Sequence, residues 1–208
     1  MGSKERRDRE RDETRGRILD AAREMFVSDG VEAVTMRAIA RRIEYTPTAI
    51  YHHFKDKNAL IIELCHGDFR ALAHAFGKVG RIDDPVERLR RIGQAYVEFA
   101  IEYPSHYRFM FMTITPPFEP IGDDRGNPEE DAYAFLKMSV EEAISARTLR
   151  PELDNADLVA QMLWASTHGV VSLHIAKEHD SWISWQDTRK TAHQAIDAML
   201  RGIVRDDA

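Results

Sequence analysis

The chain has 208 residues, of which 43% are hydrophobic, enough to build a sizeable core without disulfides or metal staples. Its one cysteine, Cys65, excludes an internal disulfide and a cysteine-based zinc site. With no signal peptide and no apolar run near the ~20 residues that span a bilayer, the sequence predicts a soluble cytoplasmic protein.

The formal net charge of −6 is unevenly distributed along the chain. Residues 1–57 hold 13 Lys and Arg against 11 Asp and Glu (+2), and the rest hold 16 against 24 (−8). The acidity therefore lies in the part that does not need to approach an anionic partner.

Residues 1–13 alternate in charge without apolar periodicity, which predicts a flexible arm. Two roles remain open for it: a solvated tail, favoured by the interleaved acids, or an arm whose arginines reach a DNA minor groove. Those arginines are Arg6, Arg7, Arg9 and Arg11. A first helix is predicted from Thr14 to about Ser28, with Gly30 ending it.

The stretch from Thr35 to Lys57 predicts two short helices joined by a tight turn. The first has Thr35 as its N-cap and an apolar stripe, and the second starts with Thr46 as N-cap and Pro47 in its first turn. The stripe consists of Met36, Ile39, Ala40 and Ile43. This pattern is typical of a helix-turn-helix that reads the DNA major groove, with a plain helical hairpin as the alternative.

In the second short helix, the apolar Ile50 and Phe54 are four residues apart and should face the first helix. A separate, exposed face carries the remaining side chains, Pro47, Thr48, Tyr51 and His52.

The segment from about Arg17 to Leu60 resembles the TetR family of bacterial transcriptional regulators. The resemblance rests on Ile18, Ala21, Ala22, Phe26, Gly30, Thr35, Ile39, Ala40, Ile50, Tyr51, Phe54, Lys57 and Leu60. Where the family usually has a glycine and a small apolar residue in the turn, this chain has Glu44 and Tyr45. We therefore expect Glu44 to take a less favourable backbone conformation.

The resemblance implies three regions: the arm 1–13, a DNA-binding domain 14–57, and a ligand-binding and dimerisation domain 58–208. We expect Thr48 and His52 to read base edges and Pro47 to touch a thymine methyl group. The expected phosphate contacts come from Thr35, Arg37, Thr46, Tyr51 and Lys57. The nucleic-acid partner is thus a double-stranded operator.

Beyond this region the sequence predicts helices throughout, giving an all-α fold of about nine helices. Lys57 begins a fourth helix that Gly77 and Gly80 close, and Asp84 with Pro85 starts a fifth that ends at Pro104. A short sixth helix is followed by a loop over 113–128 and a seventh helix over about 129–146. The last two helices are predicted from 154 or 155, and over about 185–204.

The eighth helix is apolar on nearly all sides, so it must be buried on all sides. Packing the last two helices against the same pair from a second copy would bury them. The family resemblance implies the same arrangement, because TetR family members are homodimers held by their last two helices. The sequence thus predicts a homodimer. The fragment from Trp164 to Gly169 also resembles a Trp-x-x-x-His-Gly signature found in one TetR subgroup.

Aromatic and methionine residues of the middle helices either form plain core or line a pocket for a largely apolar small-molecule effector. The family resemblance favours a pocket, with His106 and His168 as its candidate polar anchors. The other candidates are Tyr96, Phe99, Tyr103, Phe109, Met110, Phe135, Met138, Met162 and Trp164.

Catalysis is not predicted. His174 and Glu178 are four apart, but no third metal ligand is identified, and phosphate-loop and dinucleotide motifs are missing. We expect no enzyme activity, bound metal or cofactor. The predicted function is a ligand-released repressor; the alternatives are a ligand-dependent activator and a helical interaction module that does not read DNA.

Overall fold

The structure, a computed structural model, describes residues 3–80, 82–115 and 126–205, and these residues form nine α-helices. The helices are α1 (Ser3–Asp29), α2 (Met36–Arg42), α3 (Pro47–Tyr51), α4 (Lys57–Gly77), α5 (Pro85–Glu102), α6 (Pro104–Met112), α7 (Ala132–Ser145), α8 (Ala156–Lys177) and α9 (Thr188–Ile203). The predicted all-α fold is confirmed. Residues 116–125 of the predicted loop lie outside the described residues.

The chain divides into two compact units, and the division differs from the predicted boundary after residue 57. The first unit is Met1–Asp68 with Ser105–Glu119, and the second is Phe69–Pro104 with Pro120–Ala208. The reason is packing: Leu60, Ile61 and Leu64 of α4 and Phe109 of α6 belong to the same hydrophobic core as α1–α3.

The core of the first unit is formed by the apolar faces of α1–α4 and by one residue of α6. Ile18, Ile39 and Ile50 are fully buried in it. The rings of Phe26 and Phe109 stack with their centroids 6.0 Å apart. Because α3 has only five residues, this burial of Ile50, rather than helix propensity, holds it in place.

Local hydrogen bonds close both short helices as predicted. The Thr35 hydroxyl accepts from the Ala38 N–H at 3.1 Å, and the Thr46 hydroxyl accepts from the Ala49 N–H at 3.2 Å. These N-caps satisfy donors that a helix start leaves without partners inside the helix.

The turn between α2 and α3 is a Schellman motif. The Tyr45 N–H donates to the Ala40 carbonyl at 2.8 Å, and the Glu44 N–H donates to the Arg41 carbonyl at 3.2 Å. The motif places Glu44 at φ = 60°, in the left-handed region that favours glycine. The expectation of an unfavourable backbone conformation at Glu44 is confirmed.

The prediction of a flexible arm over 1–13 disagrees with the structure, in which α1 begins at Ser3. Residues 3–13 of α1, which we call the N-terminal extension, need no apolar face because their charged residues are mostly good helix formers. Arg6 also pairs with Glu10 one turn later at 3.6 Å. Apolar periodicity, the signal used for the sequence, does not detect such a solvated helix.

The second unit is built around α5, α7, α8 and α9. Asp84, Asp131, Asn155 and Asp187 cap these four helices, so α7 and α9 start about three residues later than predicted. At the crossing of α5 and α9, the Ile196 side chain lies 3.0 Å from the position that a β-carbon on Gly93 would occupy. Among the described residues, no helix is long and apolar enough to cross a membrane.

Replacing Glu44 with glycine should stabilise the protein. Glycine relieves the cost of the left-handed backbone, and the more flexible unfolded chain offsets part of the gain, which leaves roughly 0.5–1 kcal/mol. Urea unfolding measures the difference. Glu44→Ala is the control, because alanine loses the same side chain but keeps the strained φ; an equal gain for both variants would contradict the backbone explanation.

Candidate nucleic-acid interface

The second helix of the helix-turn-helix, α3, ends at Tyr51, and together with the three residues after it forms one buried and one exposed face. Ile50 is 0% and Phe54 is 3% exposed, so both point into the core of the first unit. The structure brings four of the predicted contact residues together on the exposed face: Pro47, Thr48, Tyr51 and His52. The threonine hydroxyl, phenol and imidazole on this face are groups that hydrogen-bond base edges or phosphates.

The predicted contacts at the helix starts are also at the surface. Thr35, Arg37 and Thr46 are exposed. Each threonine hydroxyl accepts a capping bond from its own helix and still has its hydrogen to donate to a phosphate oxygen.

Lys57, a predicted phosphate contact, also makes hydrogen bonds that the sequence does not predict. Its side chain is half-buried, and its ammonium group donates to the carbonyls of Val31 at 3.0 Å and Val34 at 3.2 Å. These bonds fix the segment between α1 and α2 to the start of α4. An ammonium has three hydrogens, so only one donor position remains for a phosphate.

Arg15 of α1 holds the end of α3, a contact that sequence patterns did not reveal. Its guanidinium donates to the His53 carbonyl at 3.1 Å, lies 4.4 Å from the centre of the Phe54 ring, and pairs with Glu63 at 2.9 Å. Burial, followed by the charges of Arg11 and Arg15, lowers the pKa of His53. His53 is therefore neutral at pH 7, unlike a phosphate-binding cation.

A buried ion pair joins α1 to α4. Arg23 is 7% and Asp68 is 1% exposed, and the guanidinium donates to both carboxylate oxygens at 3.0 and 2.8 Å. The Nη1 atom of Arg23 also donates to Asp20 at 2.8 Å. A usable sequence signal for this pair is that Asp68 lies four residues from both Leu64 and Leu72, on the apolar face of α4.

Cys65 lies on the same side of α4 and is 4% exposed. Burial, with a contribution from Asp68, raises the pKa of its thiol to about 11. A thiol that stays protonated and inaccessible is a packing group, not a redox sensor.

The candidate effector residues fall into two groups. His106, Phe109 and Met110 belong to the first unit, where Phe109 is a core residue, 1% exposed. Tyr96, Phe99, Tyr103, Phe135, Met138, Met162, Trp164 and His168 belong to the second unit. The Phe109 ring packs in the core against Phe26, and its role as a pocket residue stays a prediction.

Within the second unit, three of the predicted residues share a hydrogen-bonded network. Trp164 Nε1 lies 3.3 Å from the Tyr96 hydroxyl, which lies 2.9 Å from His168 Nδ1. Burial lowers the pKa of His168, so its ring is neutral at pH 7. An arrangement that satisfies all three groups has the indole donating to the phenol and the phenol donating to Nδ1.

The network continues to residues that sequence reasoning missed. The Tyr133 ring lies 6.3 Å from the Trp164 ring, and its hydroxyl donates to Asp157 at 2.8 Å. Lys137 pairs with the other oxygen of Asp157 at 2.7 Å. Among the described residues, Tyr103 packs on Phe99 and is 48% exposed, and Phe135 packs on Phe76.

A cavity of ≈ 360 Å³ in the second unit lies elsewhere. It is lined by Ile144, Arg147, Leu149, Arg150, Pro151, Leu153, Asp154 and Arg205. None of these residues is among the predicted effector contacts, and three arginines and an aspartate make the cavity unsuitable for an apolar ligand.

The short capped helix with an exposed polar face, packed into the core of α1–α4, is the arrangement of a helix-turn-helix DNA-binding protein. A family profile described as "Bacterial regulatory proteins, tetR family" matches residues 18–64. A second, "Tetracyclin repressor-like, C-terminal domain", matches residues 89–199. The chain belongs to the TetR family and is a DNA-binding transcriptional regulator.

Named relatives agree with this assignment. The "HTH-type transcriptional regulator UidR" of Escherichia coli is 29% identical over 169 residues, 76% of this chain and 80% of the relative. The "HTH-type transcriptional repressor KstR2" of Mycobacterium tuberculosis is 29% identical over 160 residues, 74% and 77% of the two chains. The family and these relatives are regulators, not enzymes.

The fold also matches solved structures. A TetR family transcription regulator from Marinobacter aquaeolei superposes with a TM-score of 0.72 at 18% identity, over 94% of this chain and 98% of that one.

Removing Arg23 should strongly destabilise the protein. Arg23→Met leaves the Asp68 carboxylate buried without its guanidinium, which costs about 3–5 kcal/mol, while combining it with Asp68→Leu should recover most of this loss. Urea unfolding measures both. The matched control is Arg42→Met, which breaks an exposed pair with Glu24 and should cost less than about 1 kcal/mol. Similar costs for the two single variants would contradict the role of the buried pair.

Proposed function

We propose that this regulator is a repressor that binds a palindrome-like operator as a homodimer and is released by a small, largely apolar effector. The observation that carries the DNA-reading part is that α3 and the residues directly after it fix Ile50 and Phe54 in the core and keep Thr48, Tyr51 and His52 together at the surface. Repression is supported by relatives named as repressors.

Each exposed residue of the helix-turn-helix has a role in this proposal. Thr48 and His52 contact base edges, and Pro47 touches a thymine methyl group. The flanking residues Thr35, Arg37, Thr46 and Tyr51 contact phosphates and set the register of α3 in the major groove. Lys57 contributes mainly by holding the segment before α2, so its substitution would alter stability together with binding.

The homodimer is supported by a seam of small and apolar residues along α8. Along the outer face of α8, residues recur at alternating spacings of four and three, the pattern by which two helices interlock. They are Leu158, Met162, Ala165, Gly169, Ser172 and Ala176. Leu158 is 50% exposed in the single chain, and Leu173 next to the seam is 54% exposed.

Helix α9 carries a similar seam at the same alternating spacing, formed by Thr191, Ala195, Ala198 and Gly202. Ala198 and Gly202 are exposed. Two copies packed through these faces form a four-helix interface, and the two-fold symmetry matches a palindrome with half-sites about 34 Å apart.

In this proposal the effector binds to the second unit and thereby releases the repressor from its operator. The Trp164–Tyr96–His168 network supplies polar groups among aromatic rings, the composition of a small-molecule site. Binding there favours a dimer geometry in which the two recognition helices no longer match the operator, a shift of population between two states.

Selection of binders from random duplex DNA tests the DNA-reading function. We expect the full chain to enrich a palindrome-like site, and Tyr51→Ala/His52→Ala to lose it while keeping wild-type circular dichroism and melting. Thr48→Ala should change the preference at one base of each half-site. Equal loss across all operator variants would contradict base reading by Thr48, and no enrichment by the wild-type chain would favour the interaction-module alternative.

A charge in the α9 seam should break the homodimer. Ala198→Glu places two carboxylates in one desolvated, symmetric interface and should shift the chain to monomer in sedimentation-velocity experiments at micromolar concentration. Lys190→Gln makes the same change in charge on an exposed part of α9 away from the seam and should leave the dimer intact. A dimeric Ala198→Glu would place the interface elsewhere.

A further inference from the structure

The helical N-terminal extension sorts its charges by face. Residues 4–13 contain five basic and five acidic residues, so the segment has no net charge. Because α1 is helical from Ser3, Lys4, Arg7, Arg11 and Arg15 follow at spacings of three and four residues and lie on one face. We call Lys4, Arg7 and Arg11 the basic stripe.

The basic stripe continues the face of α1 that packs against the helix-turn-helix. Ile18, which follows Arg11 and Arg15 on this face, is fully buried in the core. Arg15 donates to the His53 carbonyl just after α3, and Arg11 lies close enough for its charge to contribute to the lowered pKa of His53. The stripe therefore begins beside the end of α3, next in sequence to the exposed Tyr51 and His52.

On the opposite face of the extension, basic residues lie among acidic residues. Arg6 pairs with Glu10 at 3.6 Å, and Arg9 lies one turn from both Glu5 and Glu13. For Lys4, Arg7 and Arg11 the structure gives no ion pair with any residue it describes, and all three side chains are exposed. Such unpaired, aligned cations fit a polyanion that lies along the helix.

We propose that the basic stripe binds the phosphates of the DNA that flanks the base pairs read by α3. From Arg15 to Lys4 the helix advances about 16 Å, roughly the length of five base pairs, so each subunit would extend its footprint outward by that amount. The contacts are independent of base sequence and add affinity and salt dependence. The inference rests on the proposed DNA-reading function.

Two double variants from the same segment test the proposal on the selected operator with long flanks. Arg7→Gln/Arg11→Gln removes two charges from the stripe, and Arg6→Gln/Arg9→Gln removes two from the opposite face. We expect the stripe variant to bind roughly tenfold or more weakly near 0.1 M salt, and its log–log salt slope to fall by about 2 per subunit. The control should stay close to wild type.

Trimming the duplex to the core operator should remove most of the difference between the stripe variant and wild type. Equal losses of DNA affinity for the two double variants would show that only the total charge of the segment matters. A wild-type affinity for the stripe variant would exclude the contact. Either result overturns the proposal while leaving the operator intact. Failure of the wild-type chain to select any operator would instead overturn the proposed function.

A third pair of variants separates a rigid helix from a flexible arm. Asp8→Pro breaks the extension and keeps every arginine, so it should bind long-flank DNA less tightly than the control Asp8→Ala. If Asp8→Pro binds as tightly as Asp8→Ala while Arg7→Gln/Arg11→Gln stays weak, the charges act as an unstructured arm, and the helical stripe is wrong.

Discussion

The position of the reading helix depends on a charge pair in the interior of the first unit. Asp68 and Arg23 are both almost inaccessible to water, and a buried charge is tolerated only with a well-placed partner. The two-pronged contact fixes the register of α1 against α4, and His106 of α6 lies 3.8 Å from the same carboxylate. Since Ile50 of α3 packs into the core that these helices form, the orientation of α3 follows from this register.

The features that sequence reasoning predicted are those that local chemistry decides. The caps at Thr35, Thr46 and Asp84 each satisfy N–H groups two or three residues away, and the proline after Thr46 and after Asp84 needs no such bond. The strained Glu44 follows from a turn that requires a left-handed residue. Such signals lie within a few residues of one another and can be identified without the fold.

The features that were missed depend on distant partners. Lys57 is predicted to contact a phosphate, and the sequence does not show that its ammonium group also binds two carbonyls more than 20 residues earlier. Phe109 has the same apolar character as a pocket residue, and only its stacking on Phe26 identifies it as core. The part of α1 before Thr14 has no apolar stripe in its sequence, so its composition predicts a flexible arm and not a helix.

The close approach of α5 and α9 at Gly93 has a mechanical meaning. No side chain of α5 separates its backbone from Ile196 at this point, so the contact has little compliance. Tyr96 is one turn further along the same helix, and Ile196 lies between Ala195 and Ala198 in sequence. A displacement of α5 at Tyr96 therefore also moves α9, because no flexible side chain of α5 lies at the Gly93–Ile196 contact to absorb the shift.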